Sequence, residues 1–190
     1  QVSQFFSKRT YQIATVGYLL LISASVFLLS IMNGSRPTLH FITISIGFTT
    51  IVVDIVYYRW NDWPSTTVIK IIVLIKLLVA TIVYRAGRVF VTPTIPGFDI
   101  AGHLRLATHI AEHGYPTVGS PLYGRYVWAS IFHTTVAIMR QLGMTEKHAY
   151  FAIVCLFSIA TVLLIYSIGA KIERVEVGLF AALFISVSDM

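Results

Sequence analysis

Apolar positions along this chain fall in runs long enough to cross a bilayer, rather than in the alternating or every-third spacing of a soluble domain. Residues 11–32 hold no charged side chain, follow the basic pair Lys8 and Arg9, and stop at Asn33-Gly34-Ser35-Arg36-Pro37, where turn formers meet a helix breaker. Residues 39–58 form a second run with one acid, Asp54, near its far end; Tyr57, Tyr58, Trp60 and Trp63 then make an aromatic cluster suited to a membrane interface. The third run, 66–84, carries Lys70 and Lys76 and is closed by Arg85 and Arg88. Two more runs, 150–170 and 177–187, flank the loop Lys171-Ile172-Glu173-Arg174-Val175-Glu176, and the second is too short to span before Ser188-Asp189-Met190.

Between 85 and 147 the pattern changes. Pro93-Thr94-Ile95-Pro96-Gly97 cannot be helical, Asp99 is placed to cap a helix running to about 113, and Gly114 and Pro116 end it. Asp99 and His103, four apart, share one face of that helix, while Ile100, Leu104, Ala107 and Ala111 form its apolar side. A second helix over 125–142 carries Trp128, Ile131, Phe132, Thr135, Met139 and Leu142 along a stripe and ends at Gly143. His133 and Arg140 lie off that stripe and are expected to face water, which lays the helix along the membrane surface without crossing.

The expected architecture is therefore all-α: a polytopic transmembrane bundle with an external loop of interfacial amphipathic helices. Residues 1–84 give three spans, 85–147 the external loop, and 148–190 two further spans, the last cut short. Three charges fall inside the spans, Asp54, Lys70 and Lys76. Lys70 can snorkel to the near interface or meet Asp54, whereas Lys76 sits at mid-depth, where a lysine must face a partner or a wet cavity.

Composition agrees with a bilayer as solvent. Of 190 residues 56% are hydrophobic and 12% charged, against roughly a quarter charged in soluble domains, and the mean hydropathy is +0.79. The net charge of +6 does not imply nucleic acid, because the 14 Lys and Arg residues are spread along loops without a dense basic run. They act on orientation and on anionic lipid or phosphate groups instead. Cys155 is the only cysteine, so neither a disulfide framework nor a cysteine metal site is available. The chain opens at Gln1, and its first apolar run lacks an Ala-x-Ala cleavage pattern, which reads as an anchor on a trimmed chain.

The positive-inside rule places the N-terminus in the cytoplasm of a multi-pass cell-membrane protein. Lys8 and Arg9, Arg59, and Lys171 and Arg174 then occupy short cytoplasmic loops, and 85–147 lies outside. By the same parity Asp189 returns to the side of Asp99.

The segment Gly97-Phe98-Asp99-Ile100-Ala101-Gly102-His103-Leu104-Arg105 resembles the Gly-x-Asp-x-x-x-His-x-Arg pattern in the first external loop of archaeal oligosaccharyltransferase catalytic subunits. Its continuation, Glu112-His113-Gly114-Tyr115-Pro116, Ser120-Pro121-Leu122-Tyr123 and Leu142-Gly143, is similar to polyprenyl-phosphate-dependent membrane glycosyltransferases of the C-type fold, protein mannosyltransferase-like enzymes among them. The likeness covers about residues 97–190. Gly102 departs from it, standing where the oligosaccharyltransferase pattern has an aromatic residue, and the three spans before residue 97 lie outside the pattern.

The resemblance implies transfer of a sugar from a polyprenyl-phosphate-linked donor, at the external membrane face, to a protein or glycan acceptor. Asp99 would be a divalent-metal ligand (Mg2+ or Mn2+) or a base, with His103 supporting it. Asp189 would supply a second acidic element and metal ligand, and Arg105 and Arg125 would contact phosphate, which guanidinium binds bidentately. Asp99 as a plain helix cap in a non-catalytic membrane subunit is the alternative from another class. A transporter using Asp54 and Lys76 would require a discontinuous helix or a repeat pair, and the sequence carries neither.

Overall fold

The computed structural model describes residues 8–31, 38–60, 66–90, 98–114 and 130–188. Among them every regular element is a helix: α1 (Lys8–Ile31), α2 (Thr38–Trp60), α3 (Thr66–Phe90), α4 (Phe98–His113), α5 (Ser130–Gln141), α6 (Glu146–Ile172) and α7 (Val175–Val187). Four contain stretches long and apolar enough to cross a membrane: Tyr11–Ile31, Thr38–Tyr57, Thr67–Gly87 and Glu146–Ile172. At a rise of about 1.5 Å per residue α5 and α7 reach only about 20 Å, short of a hydrocarbon core of roughly 30 Å.

α1, α2 and α3 pack as consecutive neighbours, α6 and α7 form a hairpin against α3, and α4 pairs with α5 over the start of α6. One core joins α1, α2, α3, α6 and α7 through Tyr18, Ile44, Ile51, Leu77, Val162 and Leu179. A second, smaller core joins α4, α5 and α6 through Leu104, Ala107, Val136, Ala149 and Ile153. Large apolar side chains also point outward, among them Leu20, Phe27, Ile75, Leu164 and Phe184. Such a surface suits lipid and would be an aggregation liability in water.

Local signals set the ends of the short elements. Gly114 takes φ +77° and its N–H donates to the Ile110 carbonyl, a left-handed stop for α4. Gly143 takes φ +90°; its N–H reaches the Arg140 carbonyl while that of Met144 reaches Met139, the paired bonds of a Schellman end for α5. Thr145 caps α6, its hydroxyl accepting from the His148 N–H, with Glu146 in the first turn where the helix dipole favours an acid. The α6–α7 hairpin closes on two glycines. A Cβ on Gly169 would lie 2.7 Å from the Gly178 Cα, and one on Gly178 would lie 2.5 Å from the Tyr166 carbonyl oxygen.

Inside the bundle Lys76, rather than Lys70, takes Asp54. The ammonium donates to Asp54 Oδ2 at 2.7 Å and to Thr15 Oγ1 at 2.8 Å, joining α1, α2 and α3. The rings of Tyr11 and Tyr18 lie 5.1 and 5.5 Å from it, and the Tyr18 hydroxyl donates to the Lys76 carbonyl. Lys76 thus meets an acid and a hydroxyl within the bundle, the partner its placement demanded.

Candidate functional site

Three helix ends meet at one end of the bundle. Phe90, the last residue of α3, packs edge-on against Phe151 with ring centroids 4.9 Å apart and lies 5.3 Å from the ring of His148, both near the start of α6. The chain leaves α3 and enters α6 at the same end of the bundle, with α4 and α5 as an excursion between them. α7 returns there as well, because Arg85 Nη2 donates to the Ser188 carbonyl at 3.1 Å.

Within the excursion α4 and α5 are held by polar contacts as well as by their core. His103 Nδ1 lies 2.7 Å from His133 Nε2, and the two rings stack at 4.9 Å with 28° between planes. Phe132 packs edge-on against His103 and against Tyr150. Arg140 Nη1 donates to the Thr108 hydroxyl, and Gln141 Nε2 to the Ala111 carbonyl at 3.1 Å. At the far end of α4, His113 stacks on His109 at 4.2 Å.

This corrects the expectation that His133 faces water; Arg140 is half-buried. His133 is only 1% exposed. The face of α5 turned to α4 and α6 holds Phe132, His133, Val136 and Met139, whereas Ile131, Ile138 and Leu142 are exposed. The apolar stripe read from the sequence is therefore divided between two surfaces. The physical reason is that α5 meets protein on one side and an apolar surround on the other, so a hydrogen-bonded imidazole can occupy its protein side.

Burial pushes the His133 imidazole down to about 4, with the neighbouring His103 acting in the same direction. His133 is then neutral at pH 7, and one proton lies between the two rings: whichever nitrogen carries it donates and the other accepts.

Asp99 stands in the first turn of α4, since the helix begins at Phe98, one residue before the cap position expected for the aspartate. It is one turn ahead of His103; its side chain lies outside the described residues. Arg105 is exposed and, two residues from His103, leaves α4 about 200° around the axis, so the helix does not bring the two together. Arg125 and Asp189 lie outside the described residues. No three His, Cys, Asp or Glu side chains converge on a metal position among the described residues. The donors at the His103–His133 contact are nitrogens already engaged with each other, whereas Mg2+ prefers oxygen, so they do not fit that cation by themselves.

His133 is the residue the sequence reading left out, and no signal marked it until the register of α5 against α4 was fixed. Arg85 read only as a residue closing the third run; its place beneath the end of α7 depends on a partner 103 positions along the chain.

The chain matches no protein-family model, no curated protein and no solved structure.

Proposed function

We propose that the protein is a membrane glycosyltransferase, or part of one, that moves a sugar from a polyprenyl-phosphate-linked donor to a protein or glycan acceptor outside the cell membrane. The observation that carries this reading is the His103–His133 contact, which fixes an imidazole one turn from Asp99 on an excursion at one end of a bundle suited to lipid. A lipid-linked donor keeps its prenyl chain in the bilayer and its sugar phosphate at the surface, so transfer requires acid–base groups at that boundary.

In this mechanism the acceptor hydroxyl or amide attacks the anomeric carbon. The bond from that carbon to the phosphate oxygen breaks, the electron pair leaves with the phosphate, and the acceptor's proton passes to a base. Asp99 is that base, or the carboxylate that with Asp189 holds a divalent cation. His103 supports it, and His133 sets which nitrogen of His103 carries the proton. Arg105 and Arg125 are the proposed phosphate contacts on this loop.

The test is reconstitution of the protein into liposomes with radiolabelled polyprenyl-phosphate sugars and an acceptor peptide or glycan. Label reaching acceptor supports the reading. Absence of transfer from mannosyl, glucosyl and oligosaccharyl donors alike, with the folded protein present, would leave the non-catalytic subunit reading in its place.

A further inference from the structure

The last turn of α4 carries a second pair of imidazoles. His109 and His113 are four residues apart, which sets their Cβ atoms about 5–6 Å apart on one face of the helix, and their rings stack with centroids 4.2 Å apart and 22° between planes. His113 is exposed and His109 half-buried, so the pair opens onto the surface. His113 Nδ1 lies 3.1 Å from the His109 carbonyl oxygen. A carbonyl only accepts, so in the neutral ring this nitrogen carries the proton and Nε2 keeps a bare lone pair. A backbone carbonyl that holds one ring nitrogen in this way is the usual device for fixing the tautomer of a metal-binding histidine.

The surroundings suit a cation. At about 100° per residue, His109, Glu112 and His113 fall within an arc of about 100°, which puts the exposed Glu112 beside the two rings. Arg140, the cation packed against this end of α4, donates to the Thr108 hydroxyl, about 100° around the axis from His109. The flanking segments 91–97 and 115–129 contain no His, Cys, Asp or Glu, so the ligands of the pair come from α4 itself. Two imidazoles that bind one tetrahedral ion at about 2.0–2.1 Å hold their nitrogens about 3.3 Å apart, a spacing that small side-chain rotations give to rings 4.2 Å apart. At the other pair, by contrast, His103 Nδ1 and His133 Nε2 are engaged with each other.

We propose that His109 and His113 form a binding site for a divalent transition-metal ion of the Zn2+ type, with Glu112 or water at the remaining positions. Imidazole nitrogen favours such ions, whereas Mg2+ and Ca2+ take oxygen. His113 stands about 21 Å along α4 from Asp99, so the site is separate from the proposed transfer site and does not depend on that reading. The bound ion would clamp the final turn of α4 just ahead of its stop at Gly114 and stabilise that turn by mass action.

Protein without a polyhistidine tag is stripped with EDTA, placed in dodecyl maltoside and titrated with ZnCl2 by isothermal calorimetry. Saturable binding of one ion per chain is expected, weakened by about ten-fold or more in His109→Gln and in His113→Gln, since each leaves a single imidazole where chelation needs two. His148→Gln, at an exposed histidine on α6, should bind as the parent does. Gln is a better helix former than His, which protects the fold of the variants, and amide exchange of the parent gives a readout that needs no variant: Zn2+ should slow exchange across 110–114. Absence of saturable Zn2+ binding by the parent, exchange across 110–114 that Zn2+ leaves unchanged, or binding that survives His113→Gln but is lost in His103→Gln overturns the proposal.

Discussion

His103 on α4 and His133 on α5 meet nitrogen to nitrogen at 2.7 Å, with His133 almost wholly removed from solvent. Such a contact tolerates one proton between the rings but not two. The folded-state value of His133 is depressed to about 4, against an ordinary value of about 6.5. As pH falls below the ordinary value, the unfolded chain takes up a proton that the folded chain refuses, so this stabilising contribution is complete above pH 6.5 and is lost toward pH 4. The α4–α5 contact should therefore loosen on acidification, by roughly 2 kcal/mol at pH 5. Amide exchange of 104–113 and 131–141 measured at pH 7.5 and 5 checks this. Protection that does not change with pH, or that falls equally in His133→Gln, contradicts it.

Asp54 and Lys76 form a buried ion pair with side-chain exposures of 1% and 5%. Removing one partner strands a charge in an apolar interior and costs about 3–5 kcal/mol, whereas replacing both with apolar residues of similar volume costs far less. Asp54→Asn should lower the thermal midpoint in detergent sharply, and Asp54→Leu combined with Lys76→Met should recover most of it. A single variant as stable as the parent would mean that Lys76 finds another anion or water.

The α6–α7 hairpin depends on backbone contact at Gly169 and Gly178. A methyl group at Gly178 meets the Tyr166 carbonyl oxygen at 2.5 Å and the Ala170 nitrogen at 2.7 Å, both backbone atoms that cannot swing aside. Gly178→Ala should destabilise by about 1–3 kcal/mol. Gly17→Ala is the control, since a Cβ there meets nothing within 4 Å, and removing a mid-helix glycine should stabilise by about 0.5–1 kcal/mol. Detergent thermal melts of the two variants should move in opposite directions.

If α4 and α5 form an excursion at one end, single cysteines at Arg105, Lys147 and Ser188 should react with a membrane-impermeant maleimide from one side of the membrane, and one at Arg174 from the other. Replacing Cys155 with Ser removes the background thiol. Labelling of Lys147 and Arg174 positions from the same side would break the topology.

Most of the fold was legible because a run of apolar residues needs no partner to declare itself. The four long helices lie where apolar stretches of the sequence placed spans, and Gly114 and Gly143 end α4 and α5 as their left-handed preference predicts. α3 runs past residue 84 to Phe90 because Arg85 is absorbed beneath the Ser188 carbonyl instead of ending the helix. Pairings between helices were the illegible part. Asp54 choosing Lys76 over Lys70, and His133 turning to His103, depend on the register of one helix against another, which no single-helix pattern contains. Asp99 and His103 were readable as one turn apart because their spacing is local.

If this end of the bundle transfers sugar as proposed, the reaction runs through the Asp99 carboxylate. Asp99→Asn keeps the side chain's size while removing its charge and its use as a base, so the liposome transfer rate should fall by about 100-fold or more with membrane level unchanged. Parallel assays with and without EDTA show whether the carboxylate works through a divalent cation. Transfer by Asp99→Asn at the parental rate, in protein that is equally abundant and folded, would contradict the account.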